Sequence, residues 1–184
     1  MGSIESLCQE YERQVRLQWP QTLAGPQRVW FAVYEPEVER RLRIRVPLFE
    51  EVTKKAGHHW KLADLTRLFA EWMAGHDYRE LYFADPDSLE LALRDDFADY
   101  VSQYLKAQLE APDVDDQTIV AVTGAASLFG LSRVSRLVEG VAPAIRGRLL
   151  VFFPGQVEAN NYRLLDAGDG WNYLAVAISA RNED

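Results

Sequence analysis

The sequence predicts an α/β fold: a three-layer sandwich with a mostly parallel sheet of four or five strands and helices on both faces. Three observations lead there. The runs "VWFAVY" (29–34), "TIVAVTG" (118–124) and "RLLVFF" (148–153) are apolar without polar alternation, as strands covered on both faces are. Segments of helical periodicity separate them. Strand, helix, strand in succession needs a crossover, and crossovers make neighbouring strands parallel and right-handed. In outline the fold is Rossmann-like or P-loop-like, without a working phosphate loop. At 184 residues and 48% hydrophobic content, 1–184 reads as one domain able to bury its own core.

Taken in order, residues 3–17 space their apolar groups as a helix does, and Trp19-Pro20 should stop it, because proline disfavours helix in the residue before it. The only cysteine, Cys8, shares the apolar face with Ile4, Leu7, Tyr11 and Val15, so it packs rather than reacts. The strand at 28–34 follows. A helix begins near Pro36, a residue suited to a first turn, and Pro47 should kink or split it. "WKLADL" (60–65) is a weaker strand, and "TRLFAEWMAG" (66–75) starts as helix and stops at Gly75. Asp85-Pro86 reads as an N-cap and first-turn proline for a long helix to about Leu109, with Leu89, Leu93, Phe97, Val101, Tyr104 and Leu105 along one face. After the strand at 118–124 a helix is expected from about Leu131 to Ile145. "YRLLD" and "WNYLAVAIS", separated by Asp166–Gly170, read as a closing hairpin.

Charge narrows the function classes. The net charge is -8, and the acidity is local: residues 71–117 hold 3 basic and 13 acidic groups, against 11 and 9 in 1–70 and 6 and 6 in 118–184. Autonomous DNA binding is not expected of such a chain, since counterion release rewards basic proteins. Asp95, Asp96 and Asp99 fit a solvated helix face. Arg40, Arg41, Arg43 and Arg45 could meet a phosphate or a partner's carboxylates, or lie on a solvated helix face. No basic-then-apolar leader and no apolar run of membrane length stand in the sequence, so a cytoplasmic protein is expected.

Ligands of such sheets meet the carboxyl ends of the strands, here Glu35, Asp64, Thr123-Gly124 and Pro154-Gly155. "TGAASLFGLSRVSRL" (123–137) stands where a phosphate loop would, with Thr123, Gly124, Ser127 and Arg133 as candidate ligand contacts. Yet five residues rather than four separate Gly124 from Gly130, and Leu131 occupies the lysine position. It is therefore a degenerate nucleotide turn or a plain strand-to-helix turn. The three histidines are too few and wrongly spaced for zinc, no nucleophile elbow is present, and no cofactor is expected. Asn161, Tyr162, Arg163 and Trp171, with Tyr173, are rich in the types that protein interfaces use. Tyr173 is expected inward on the strand, Trp171 partly exposed, and Arg163 paired with Asp166 or Asp169.

Residues 120–178 resemble the BrxB family, small cytoplasmic components of bacteriophage exclusion (BREX) defence loci. The similar elements are Gly124, Ser127, Leu128 and Arg133 around the turn, the strand end Phe152-Phe153-Pro154-Gly155, and the segments Asn161-Tyr162-Arg163-Leu164 and Asn172-Tyr173. Over 1–117 the likeness is one of element order, anchored by "VWFAVY". Ala125-Ala126 stands where a valine-glycine turn is usual, and Gln156-Val157 where glutamate and tyrosine are often found. The resemblance implies a non-catalytic defence component working beside a methyltransferase, a large ATPase and an alkaline-phosphatase-like protein. Together with the missing catalytic constellation and the aromatic, amide-rich hairpin, it leads to the expectation of an adaptor for those proteins, with self-association left open.

Overall fold

A computed structural model describes residues 3–167 and 170–181. The chain is mixed α/β. Its helices are α1 (Ile4–Val15), α2 (Glu39–Lys55), α3 (Leu68–Ala74), α4 (Arg79–Ala84), α5 (Leu89–Ala92), α6 (Ala98–Leu109) and α7 (Val134–Val141). Its strands are β1 (Val29–Tyr34), β2 (His59–Asp64), β3 (Thr118–Thr123), β4 (Arg148–Glu158), β5 (Asn161–Leu164), β6 (Trp171–Asn172) and β7 (Val176–Ser179).

Five strands lie in the order β2-β3-β4-β1-β7, every neighbouring pair parallel. Antiparallel pairing is confined to one corner, where β4 runs on past Phe153 to meet β5, and β5 meets β6. Side-chain alternation along β1 divides the interior into two cores. Val29, Phe31 and Val33 join α3, α6 and α7 on one face, while Trp30, Ala32 and Tyr34 join α1 and α2 on the other. β3 and β4 divide in the same way over 119–122 and 149–153, which is why those stretches are apolar at consecutive positions. β2 is one of the two edge strands of this order and its exposed residues show it: Lys61 reaches Asp113 at 2.9 Å, a charge at the place where another strand could otherwise add.

Several expectations need correcting. Pro47 lies inside α2 without dividing it. The Asp85 side chain caps nothing; a 3-10 turn at Pro86–Ser88 leads into α5, and a π-helical turn at Leu93–Phe97 joins α5 to α6. The expected face survives this detour, because Phe97, Val101 and Leu105 are buried and Leu89, Leu93 and Tyr104 half-buried. The helix expected from Leu131 starts at Val134, since a 3-10 turn at Ala125–Leu128 and a loop occupy the residues before it. The hairpin is correct for β5 and β6, but "WNYLAVAIS" is not one strand. Trp171-Asn172 pairs with β5, whereas Val176–Ser179 has crossed to lie beside β1.

At the opposite end of the sheet, Arg148 is buried without a carboxylate. Its guanidinium stacks over Trp19, 4.8 Å from the ring centroid, and donates to the carbonyls of Gly147 and Pro20. Trp19 in turn stacks on His58 at 3.7 Å. Burial holds the His58 imidazole below its ordinary pKa.

Candidate functional site

The carboxyl ends of β1, β2 and β3 carry a continuous polar network. Tyr34 donates its hydroxyl to Glu39, whose other oxygen accepts from Arg43 Nε at 2.8 Å. Arg43 Nη2 donates to Thr66 Oγ1 at 3.1 Å. Thr66 closes an Asx turn, giving both its amide (3.0 Å) and its hydroxyl (2.6 Å) to Asp64 Oδ1. Burial acts to raise the Asp64 pKa, but these two bonds and the Arg43 charge outweigh it and hold the carboxyl below the usual range. The carboxylate at this end is thus a turn fastener, an acceptor with its charge stabilised. The partner on β1's side is Glu39, one turn beyond the Glu35 that strand-end counting selects; Glu35 is exposed.

The expected phosphate turn is pressed against this network. Thr123 is buried. Gly124 has φ +81°, and a Cβ there would lie 2.6 Å from Thr66 Oγ1 and 2.7 Å from Thr66 N. Only glycine fits so close a backbone approach at that φ. Ser127 turns its hydroxyl inward to the carbonyls of Gly124 (2.6 Å) and Leu65 (3.2 Å). The amides of Ser127, Phe129, Leu131 and Ser132 all donate to carbonyls within the turn. A phosphate cradle presents such amides outward; here four of them are used locally.

Arg133 departs from the other three. It is exposed and lines a cleft of about 640 Å³ whose walls include Phe129, Phe153, Tyr162, Leu164 and Trp171. The cleft therefore joins the tail of the turn to the β5–β6 hairpin, two features that the sequence separates by some thirty residues.

The hairpin itself is mainly architecture. Tyr162, expected on a recognition surface, is only 2% exposed, with its ring 4.5 Å from Phe31 and 5.9 Å from Phe153, so it has nothing to offer a partner. Trp171 is half-buried: its ring stacks on Tyr173 at 4.6 Å and its indole N–H donates to Glu139 at 2.9 Å. Tyr173 points inward, though from the link between β6 and β7 rather than from a strand, and its buried hydroxyl has no partner among the described residues. Asn161 is half-buried. Arg163 is exposed and makes no ion pair with Asp166; Asp169 lies outside the described residues. Of the four recognition candidates, Arg163 alone is fully available, with Asn161 and Trp171 available in part.

The surface that reading the sequence missed lies elsewhere. Tyr78, Leu81, Phe83 and Leu91 are 63, 55, 66 and 68% exposed, and α4 buries none of its residues. One signal existed: these residues fall off the periodic face to which Leu89, Leu93 and Phe97 belong, so no core position accounts for them. Among the described residues no group of three or more His, Cys, Asp and Glu side chains could hold a metal, and no helix is long and apolar enough to cross a membrane. No family model matches the chain, and neither a curated protein nor a solved structure is significantly similar to it.

Proposed function

We propose that this chain is a non-catalytic adaptor that holds other proteins together, and that those proteins are components of a BREX-type defence system: the methyltransferase, the ATPase and the alkaline-phosphatase-like protein. The observation that carries the adaptor reading is the exposed apolar segment. Four large side chains on consecutive short elements are kept in water although the domain has two well-filled cores to receive them. Several large apolar side chains left exposed in one short stretch of chain favour a protein-binding surface. The assignment to BREX rests on the sequence resemblance. The strand order, with β1 between β4 and β7, and helices packed on both faces support a three-layer, P-loop-like ancestry whose crevice has been filled by the Asp64–Thr66 turn.

Co-expression with each of the three proteins tests this, reading recovery on a tagged copy of the chain. Phe83→Ser should leave the fold intact and cut recovery of one partner. Equal recovery of wild type and variant would remove the surface, and recovery of the chain alone would remove the adaptor.

A second reading, a degenerate nucleotide-binding switch, is favoured by one feature, the exposed Arg133 beside the aromatic walls of the cleft. It requires millimolar ATP, GTP or a dinucleotide to raise the melting temperature, and Arg133→Gln to abolish the shift.

A further inference from the structure

Two of the four arginines in the basic run at 40–45 have no ion-pair partner among the described residues. Arg43 is drawn into the network at Glu39 and Thr66. Arg40 and Arg41 are exposed and make no ion pair among the described residues, and Arg45 reaches only Glu5, at 3.8 Å. Among them stands Ile44, 71% exposed, the most exposed large apolar side chain of the described residues. The outer face of α2 is thus a cationic helix with an apolar centre.

The segment 77–91 has the opposite character. Around Tyr78, Leu81, Phe83 and Leu91 it carries Asp77, Glu80, Asp85, Asp87 and Glu90, with Arg79 as its one basic residue. Asp77, Asp85 and Asp87 are exposed and form no ion pair among the described residues.

We propose that α2 of a second copy of this chain occupies the 77–91 surface, so that the protein associates with itself head to tail. This deepens the adaptor reading and rests on 77–91 being a protein-binding surface. Two arguments select this occupant. Charge and apolar content match across the two surfaces, whereas pairing either surface with its own kind would set like charges against one another. Geometry prevents a molecule from satisfying itself: α2 packs into the core on one face of the sheet, while Tyr82, Leu89 and Leu93 pack against the core on the other. A contact between two different surfaces is heterologous, and it closes into a ring or continues as a filament. With one apolar anchor on the α2 side, the contact belongs among weak, salt-sensitive interfaces.

Sedimentation velocity across a concentration series, with Ile44→Asp and Phe83→Asp, tests the proposal. Both positions are exposed, and far-UV circular dichroism checks that each variant folds. The wild type should grow in mass with concentration at ~0.05 M salt and return to monomer at ~0.5 M. Each variant alone should associate about tenfold more weakly or not at all. Mixed, the two should recover a complex that stops at one copy of each, because Phe83→Asp retains a working α2 and Ile44→Asp a working 77–91 surface. A monomeric wild type at low salt, association by either variant alone as strong as wild type, or a mixture that stays monomeric would each overturn it. If the wild type is monomeric while Phe83→Ser still costs recovery of a defence protein, self-association falls and the adaptor reading stands; if neither occurs, both fall.

Discussion

Replacing Gly124 with alanine separates a glycine kept for folding from one kept for a ligand. Two costs follow from the structure. At φ +81° an L-residue occupies left-handed space, a penalty of about 1–2 kcal/mol. The added methyl would also lie 2.6 Å from Thr66 Oγ1, 2.7 Å from Thr66 N and 3.0 Å from Asp64 Oδ1, and such overpacking costs about 1–3 kcal/mol. Alanine reduces the entropy of the unfolded chain, which returns about 0.4–1 kcal/mol. The net expectation is a loss of about 1–4.5 kcal/mol, measured as a lower urea midpoint at unchanged slope, followed by tryptophan fluorescence. Thr66→Ala in the same chain removes the hydroxyl but leaves the amide and the φ, so it should restore only part of the loss. A loss below about 1 kcal/mol in the single variant would refute the close-approach argument. Full recovery in the double variant would show that the hydroxyl alone made the contact matter.

Trp171→Ala should cost about 2 kcal/mol of stability, short of a fully buried tryptophan, because the ring packs on Phe31, Tyr162 and Tyr173 while remaining half-exposed; an unchanged urea midpoint would contradict this packing role. Cys8 should resist alkylation at neutral pH until urea unfolds the chain, since burial, with Glu12 and Glu5 adding to it, pushes its thiol up to about 11; fast labelling of the native protein would contradict it. His58, whose imidazole is depressed by burial, favours the folded state while neutral. That contribution is complete above the unfolded pKa of about 6.5 and is lost as pH falls through the folded value, so His58→Phe should flatten the stability profile between about pH 7 and 5. A profile with the same slope in wild type and variant would assign the pH dependence to other groups.

The buried strands were legible because a strand with a core on each face is apolar at consecutive positions, as β1, 119–122 of β3 and 149–153 of β4 are. Segments whose fate depends on distant pairing were not. Nothing within "WNYLAVAIS" announces that Tyr173–Ala175 must carry the chain away from β5 and over to the far side of β1, since that path is set by where β4 and β1 already lie. The expectation that Tyr162 lies on the surface failed for a related reason. Tyrosine and tryptophan serve interfaces and cores equally well, and only the third dimension shows that Tyr162 faces Phe31 and Phe153. The turn at 123–133 was placed correctly, but its partner was invisible: Thr66 comes from the loop after β2, far away in sequence and in contact through the parallel pairing of β2 with β3.

The two ends of the argument meet in how the molecule treats its polar and apolar groups. At the strand ends, where a ligand would leave carboxylates and amides waiting, Glu39, Asp64, Ser127 and four turn amides are all given to neighbours in the same chain. Along 77–91 the reverse holds, and large apolar groups that could lower the free energy by leaving water are held in it. Fully burying a side chain of that size is worth about 1.5–3 kcal/mol, so these four, each already about a third or more covered, still forgo several kcal/mol. Selection for folding alone would replace them with polar residues at almost no cost, because surface substitutions of that kind are nearly neutral. A partner that covered the segment, as proposed, would gain this energy, and the acidic residues around it would favour a cationic one. Under the proposed adaptor reading, the contacts that matter lie along 77–91 rather than at the strand ends, where the polar groups are already paired within the chain.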